Sequence, residues 1–131
     1  MKGVEMNASR RSTAARCAVA IAALAAAVVA APASQAATPK LIGTVGPGYT
    51  ISLKTAAGKN VAALKPGKYT ITVRDRSRIH DFRLSGPGLN KVFSSVAAVG
   101  TRSVTVTLRA GRYQFTCQPH ASAMHGAFRV R

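Results

Sequence analysis

The chain has 131 residues, and its 19 Lys and Arg against three Asp and Glu give a formal net charge of +16. So few carboxylates argue against paired-acid catalysis, and the hydroxyl, imidazole and carboxylate groups suggest no catalytic triad. The basic excess favours acidic partners and anionic surfaces, and bears on association more than on fold.

Lys2, Arg10, Arg11 and Arg16 form a basic start, followed by an uncharged Ala/Val/Ile/Leu run from residue 18 to about residue 31. Small residues then surround Ser34-Gln35-Ala36-Ala37. This is the pattern of a cleavable signal peptide over residues 1–36, and the apolar run is short for a membrane span. Cys17 precedes the apolar run, which argues against a lipoprotein cleavage site. Residues 37–131 are then expected to form one small exported domain, with no stable membrane span once the leader is removed. It holds one cysteine, Cys117, so it has no internal disulfide. In an oxidising compartment that thiol needs protection, by burial or by a metal.

The domain reads as short strands separated by glycine turns. Leu41-Ile42-Gly43-Thr44-Val45 comes first, then Gly46-Pro47-Gly48 and the alternating Tyr49-Thr50-Ile51-Ser52-Leu53. Further alternation marks residues 69–73, 79–84, 104–108 and 113–117, with a last short strand at 127–130. Gly86-Pro87-Gly88 and Gly100 mark intervening loops. No segment past residue 40 keeps a helical period, so the expected fold is all-β, a β-sandwich. Leu64-Lys65-Pro66-Gly67-Lys68-Tyr69 and Leu108-Arg109-Ala110-Gly111-Arg112-Tyr113 echo each other. In each, a tyrosine opening a strand can bond back to the turn before it, as at Greek-key corners. The 15 Lys and Arg after residue 36 are scattered, without an arginine cluster or an exposed aromatic series, so nucleic acid is not an expected partner.

The chemistry-bearing stretch is Cys117-Gln-Pro-His120-Ala-Ser-Ala-Met124-His125. With period two, His80, Phe82 and Leu84 share one strand face, and Asp81 and Arg83 share the other. His80 and Cys117 are thereby expected to point inward. Two imidazoles, a thiolate and a weakly bound thioether form the donor set of a blue-copper site. Zinc would accept the same Cys and His donors but would leave Met124 idle. Pro119 stiffens the loop, and Gly126 is expected to permit the turn into the last strand. His125 beside Met124 is an alternative fourth ligand, although adjacent extended residues point oppositely.

Tyr113-x-Phe115-x-Cys117-x-Pro119-His120 followed by Met124-x-Gly126, with His80 upstream, resembles the cupredoxins, the plastocyanin/azurin-like type 1 copper proteins. The resemblance spans roughly residues 40–131. It implies an eight-stranded Greek-key sandwich binding one copper ion, cycling between Cu(I) and Cu(II). His80, Cys117 and His120 would be its equatorial ligands and Met124 the axial one. His120 would be the electron port, ringed by Pro119, Ala121 and the Gly46-Pro47-Gly48 loop. Where Asp81 stands, the family commonly has an Asn that ties two loops together. The implied function is that of an exported monomeric electron carrier, not an enzyme, serving a redox partner protein with an acidic docking surface. The alternative is extracytoplasmic copper or zinc binding, storage or delivery without electron transfer.

Overall fold

The computed structural model describes residue 3 and residues 27–131. Residues Gln35–Arg131 form one compact unit. Most of the leader expected over residues 1–36 lies outside the described residues; its described part, 27–36, is neither helix nor strand. Among the described residues, no helix is long and apolar enough to cross a membrane.

Nine strands follow: β1 (Lys40–Val45), β2 (Ile51–Thr55), β3 (Ala63–Leu64), β4 (Gly67–Asp75), β5 (Phe82–Gly86), β6 (Leu89–Ser94), β7 (Gly100–Leu108), β8 (Gly111–Thr116) and β9 (His125–Val130). One sheet has the order β2-β1-β4-β7 and the other β3-β9-β8-β5-β6, which makes a Greek-key sandwich of two mixed sheets. The count exceeds the expected eight by the two-residue β3, which pairs in parallel with β9. β6 was not expected from the sequence. Its Leu89-Asn-Lys-Val-Phe-Ser run has the burial pattern of an edge, with only Phe93 and Ser94 buried.

Alternation places the core. Tyr69, Ile71 and Val73 of β4 and Tyr113 and Phe115 of β8 are buried, and Cys117 continues the β8 series at 0% exposure. Phe82 stacks on Phe115, with ring centroids 6.0 Å apart and planes 2° apart, and meets Phe93 edge-on. Two glycines make room for these rings. A Cβ on Gly43 would come within 2.9 Å of Phe82, and one on Gly126 would collide with the Phe115 ring. Gly126 thus serves close approach within β9, paired with Phe115, and not the turn expected of it.

Both tyrosine corners form. The Tyr69 hydroxyl donates to the Lys65 carbonyl at 2.8 Å. The Tyr113 hydroxyl accepts the Arg109 N–H at 3.0 Å and donates to the Pro87 carbonyl at 2.8 Å, so it ties the β7–β8 turn to the β5–β6 turn. Connections 46–50, 76–81, 95–99 and 117–124 leave β1, β4, β6 and β8 and gather at one end of the sandwich.

The two tyrosines are expected to differ in worth. Tyr113→Phe strips partners from two backbone groups beside a fully buried ring, and should cost roughly 1–3 kcal/mol. Tyr69→Phe removes one partner and should cost less. Urea unfolding of the two variants checks this order, and equal losses would contradict it.

Candidate metal centre

His80, Cys117 and His120 converge at the end where those four connections gather. His80 lies two residues before β5, in connection 76–81, and not within a strand as the alternation suggested. It is nonetheless fully buried, as expected. Its Nε2 is 2.9 Å from the Gly48 carbonyl. A carbonyl only accepts, so Nε2 carries a proton, and in the neutral ring Nδ1 then keeps its lone pair. That lone pair faces inward, 3.0 Å from His120 Nδ1 and 3.7 Å from Cys117 Sγ. Cys117 Sγ lies 3.5 Å from His120 Nδ1.

These three separations define a triangle whose centre is about 2 Å from each donor, close to the metal–ligand lengths of imidazole nitrogen and thiolate sulfur. The outer nitrogen of His80 is held by a carbonyl, the arrangement that fixes tautomer and ring orientation in metal-binding histidines. Donor set and spacing therefore fit a single soft or borderline metal ion.

The loop carrying Cys117 and His120 is braced by its own backbone. A 3-10 turn, Gln118–His120, has Pro119 in its first turn. The His120 N–H donates to the Cys117 carbonyl at 3.2 Å and the Met124 N–H to the His120 carbonyl at 2.8 Å. The Cys117 N–H donates to the Met124 carbonyl at 3.0 Å, which closes the loop. Met124 is fully buried, whereas His125 opens β9 on the exposed side. His125 Nδ1 lies 2.8 Å from the Ala121 carbonyl and is no part of the converging cluster.

Asp81 departs from the period-two expectation. It is 4% exposed, and its Oδ1 accepts the Gln118 N–H at 2.6 Å. His80 and Asp81 precede β5, so the pleat does not dictate which way they face. The tie between two loops that an Asn commonly makes in the family is made here by a carboxylate, as an acceptor. Burial pushes the Cys117 thiol up from its ordinary range; backbone donors at Asp81 and His120 oppose this, and the Asp81 charge adds to it.

Sequence reasoning missed Tyr49, which it placed in a strand. Tyr49 lies in connection 46–50, edge-on to His80 with centroids 5.3 Å apart and to His120 at 4.9 Å. The expected approach of the Gly46-Pro47-Gly48 loop to the site is thus made by Tyr49 and the Gly48 carbonyl. An aromatic directly after Gly-Pro-Gly was the available signal.

Residues 44–131 match the copper binding proteins of the plastocyanin/azurin family. The chain belongs to that family. It is a cupredoxin, and its cofactor is a single copper ion. Similar solved structures include a rusticyanin variant, 19% identical with a TM-score of 0.51, covering 70% of this chain and 76% of that one. Reduced rusticyanin is 20% identical with a TM-score of 0.51, covering 70% and 78%. Auracyanin A, a "blue" copper protein from Chloroflexus aurantiacus, is 17% identical with a TM-score of 0.48, covering 70% and 98%. The two rusticyanin likenesses show a common fold. Among curated protein sequences, none matches this chain.

Two outcomes follow for this cupredoxin. Because the folded thiol titrates above its unfolded value, the unfolded metal-free chain ionises first as pH rises. Metal-free protein should lose stability as pH passes the ordinary thiol value of about 8.5, and Cys117→Ala should lack that part of the slope. Denaturant midpoints across pH, compared between the two proteins, measure it. Asp81→Ala cuts the tie to Gln118 and should weaken metal affinity on the order of 10–100-fold, while Asp81→Asn keeps an acceptor oxygen and most of the affinity. Competition with a chelator ranks the three proteins.

Proposed function

We propose that this cupredoxin is a one-electron carrier that acts outside the cytoplasm once residues 1–36 are removed. Its copper would be held by His80, Cys117 and His120, with Met124 as a weaker fourth ligand. The observation that carries this reading is the convergence of three donor atoms from two connections, one of them a histidine whose tautomer is set by Gly48. Bound there, copper supplies a Cu(I)/Cu(II) couple.

The protein's own part is rigidity and shielding. The loop from Cys117 to Met124 is closed by backbone bonds, and His80 and Cys117 are both fully buried. A site braced in this way changes little between oxidation states, which suits fast transfer. His120 is only partly buried and so offers the path outward, with the Tyr49 ring against it. Burial of Met124 beside His125's outward position favours Met124 as the fourth ligand. A buried thioether also suits copper better than zinc, which favours electron transfer over zinc storage. The two described aspartates are both committed to hydrogen bonds at the metal end, which suits the reading as a carrier. The partner is a redox protein whose acidic face would meet this basic chain, which is expected to serve as a monomer.

Addition of Cu(II) to the metal-free protein should give an intense blue thiolate charge-transfer colour and a reversible redox wave. Cys117→Ser should abolish the colour. A colourless protein that instead retains zinc tightly would replace the electron carrier with a metal-storage or delivery role.

A further inference from the structure

At the end of the second sheet away from the metal loops, Arg112 of β8 and Arg129 of β9 stand directly opposite each other. Their neighbours Tyr113 and Phe128 are a buried pair with stacked rings, so by alternation both arginines face outward. Cross-strand partners of like charge repel, and such a pairing is unfavourable unless something neutralises it. No acidic side chain of the described protein is free to do so. Asp75 accepts from the Ser77 N–H and the Ser94 hydroxyl, and Asp81 from the Gln118 N–H, all at the metal end.

The two arginines also flank a cleft of about 240 Å³. Ala62, Ala127 and Phe128 complete its lining. Ala62 is held there by its carbonyl, which accepts the Arg129 N–H at 3.0 Å. The two alanines are small, and the two guanidiniums are the charged groups of the lining. Each guanidinium offers five N–H donors in a planar fork that matches oxyanions. The cleft is below the usual size of a drug-sized pocket but has room for one small group.

We propose that Arg112 and Arg129 form an anion site for a phosphate group, either free phosphate or the phosphate of a phospholipid headgroup. The two guanidiniums grip its oxygens by charge-assisted, bidentate hydrogen bonds, and the anion relieves their mutual repulsion. Five residues of extended chain separate Arg112 from Cys117, roughly 16 Å, so an occupied cleft leaves the metal end free.

The test is a titration of the purified full chain with inorganic phosphate at constant ionic strength. It is followed by amide chemical shifts and, in parallel, by the thermal midpoint, which a folded-state ligand raises. The expected result is a saturable response centred on Arg112, Ala127 and Arg129. Arg112→Gln and Arg129→Gln should each weaken it by about tenfold or more and blunt the rise in midpoint. Lys40→Gln removes one exposed charge from the other sheet and should leave both readouts unchanged. A non-saturable response, or equal losses in all three variants, overturns the site in favour of diffuse charge attraction. Vesicles of phosphatidylglycerol in phosphatidylcholine identify the source. Arginine-dependent capture that inorganic phosphate competes away assigns a headgroup, and phosphate binding without capture assigns the free ion. Capture by vesicles with no saturable phosphate binding overturns the proposal.

Discussion

The pairing of β5 with β8 is the constraint on which the site depends. Arg83 opposes Thr116, Leu84 opposes Phe115 and Ser85 opposes Gln114. Connection 76–81 enters the first of these strands and connection 117–124 leaves the second, so His80 and Cys117 emerge side by side at one end. A slip of one residue would turn Phe115 and Cys117 outward together, because side chains alternate with period two. Apolar packing therefore sets the register that brings the donors into range. The stack of Phe82 on Phe115 belongs to that register, and such pairs add about 0.5–1.5 kcal/mol beyond the area they bury. Gly126, which lies against the Phe115 ring, ties the third strand of the group to the same packing.

A dry site made of polar groups stands only if those groups have partners. Among the described residues, no buried side-chain nitrogen or oxygen is left without a hydrogen bond. His80 uses its outer nitrogen on Gly48, and Asp81 uses its carboxylate on Gln118. These two bonds reach from connection 76–81 to each of two neighbouring connections. Position in the metal centre is thus transmitted by hydrogen bonds across loops as well as by the sheet beneath them. Burial disfavours the Cys117 thiolate. Ligation would have to overcome that preference, whereas His80 already presents its lone pair.

Much of this was legible from alternation. Strands whose two faces differ sharply, such as β4 and β8, announced themselves, and so did the inward direction of Cys117. β6 did not, because an edge strand with Lys91 and a half-exposed Val92 lacks a clean apolar face. The tyrosine corners could be read because a Leu, a glycine turn and a Tyr recur at fixed offsets. The strand placement of His80 and the outward placement of Asp81 share one cause: the alternation read over 79–84 carries the pleat three residues ahead of where β5 begins. Gly126 differs for a related reason. A glycine before a strand suggests a backbone turn, but it is the Phe115 ring across the ladder that requires one here. Tyr49 offers only a local hint, an aromatic after Gly-Pro-Gly, because its role depends on connection 46–50 folding over residues more than thirty positions away.

The two aspartates also explain how the chain comes to be so basic on its surface. Asp75 and Asp81 are buried, 3% and 4% exposed, and each secures a connection at the metal end. Asp75 holds Ser77 and Ser94, and Asp81 holds Gln118. The described surface is left with cations and no carboxylate side chain to offset them. Such a surface repels itself, a penalty the compact state tolerates, and draws anions from a distance on the order of the Debye length, about 10 Å at 0.1 M salt. Neutralisation must therefore come from outside the described chain. The proposed arginine site at the far end of the second sheet would be one place for it. An anion held there would leave the end where His120 and Tyr49 meet solvent untouched, because the strands β8 and β9 lie between them.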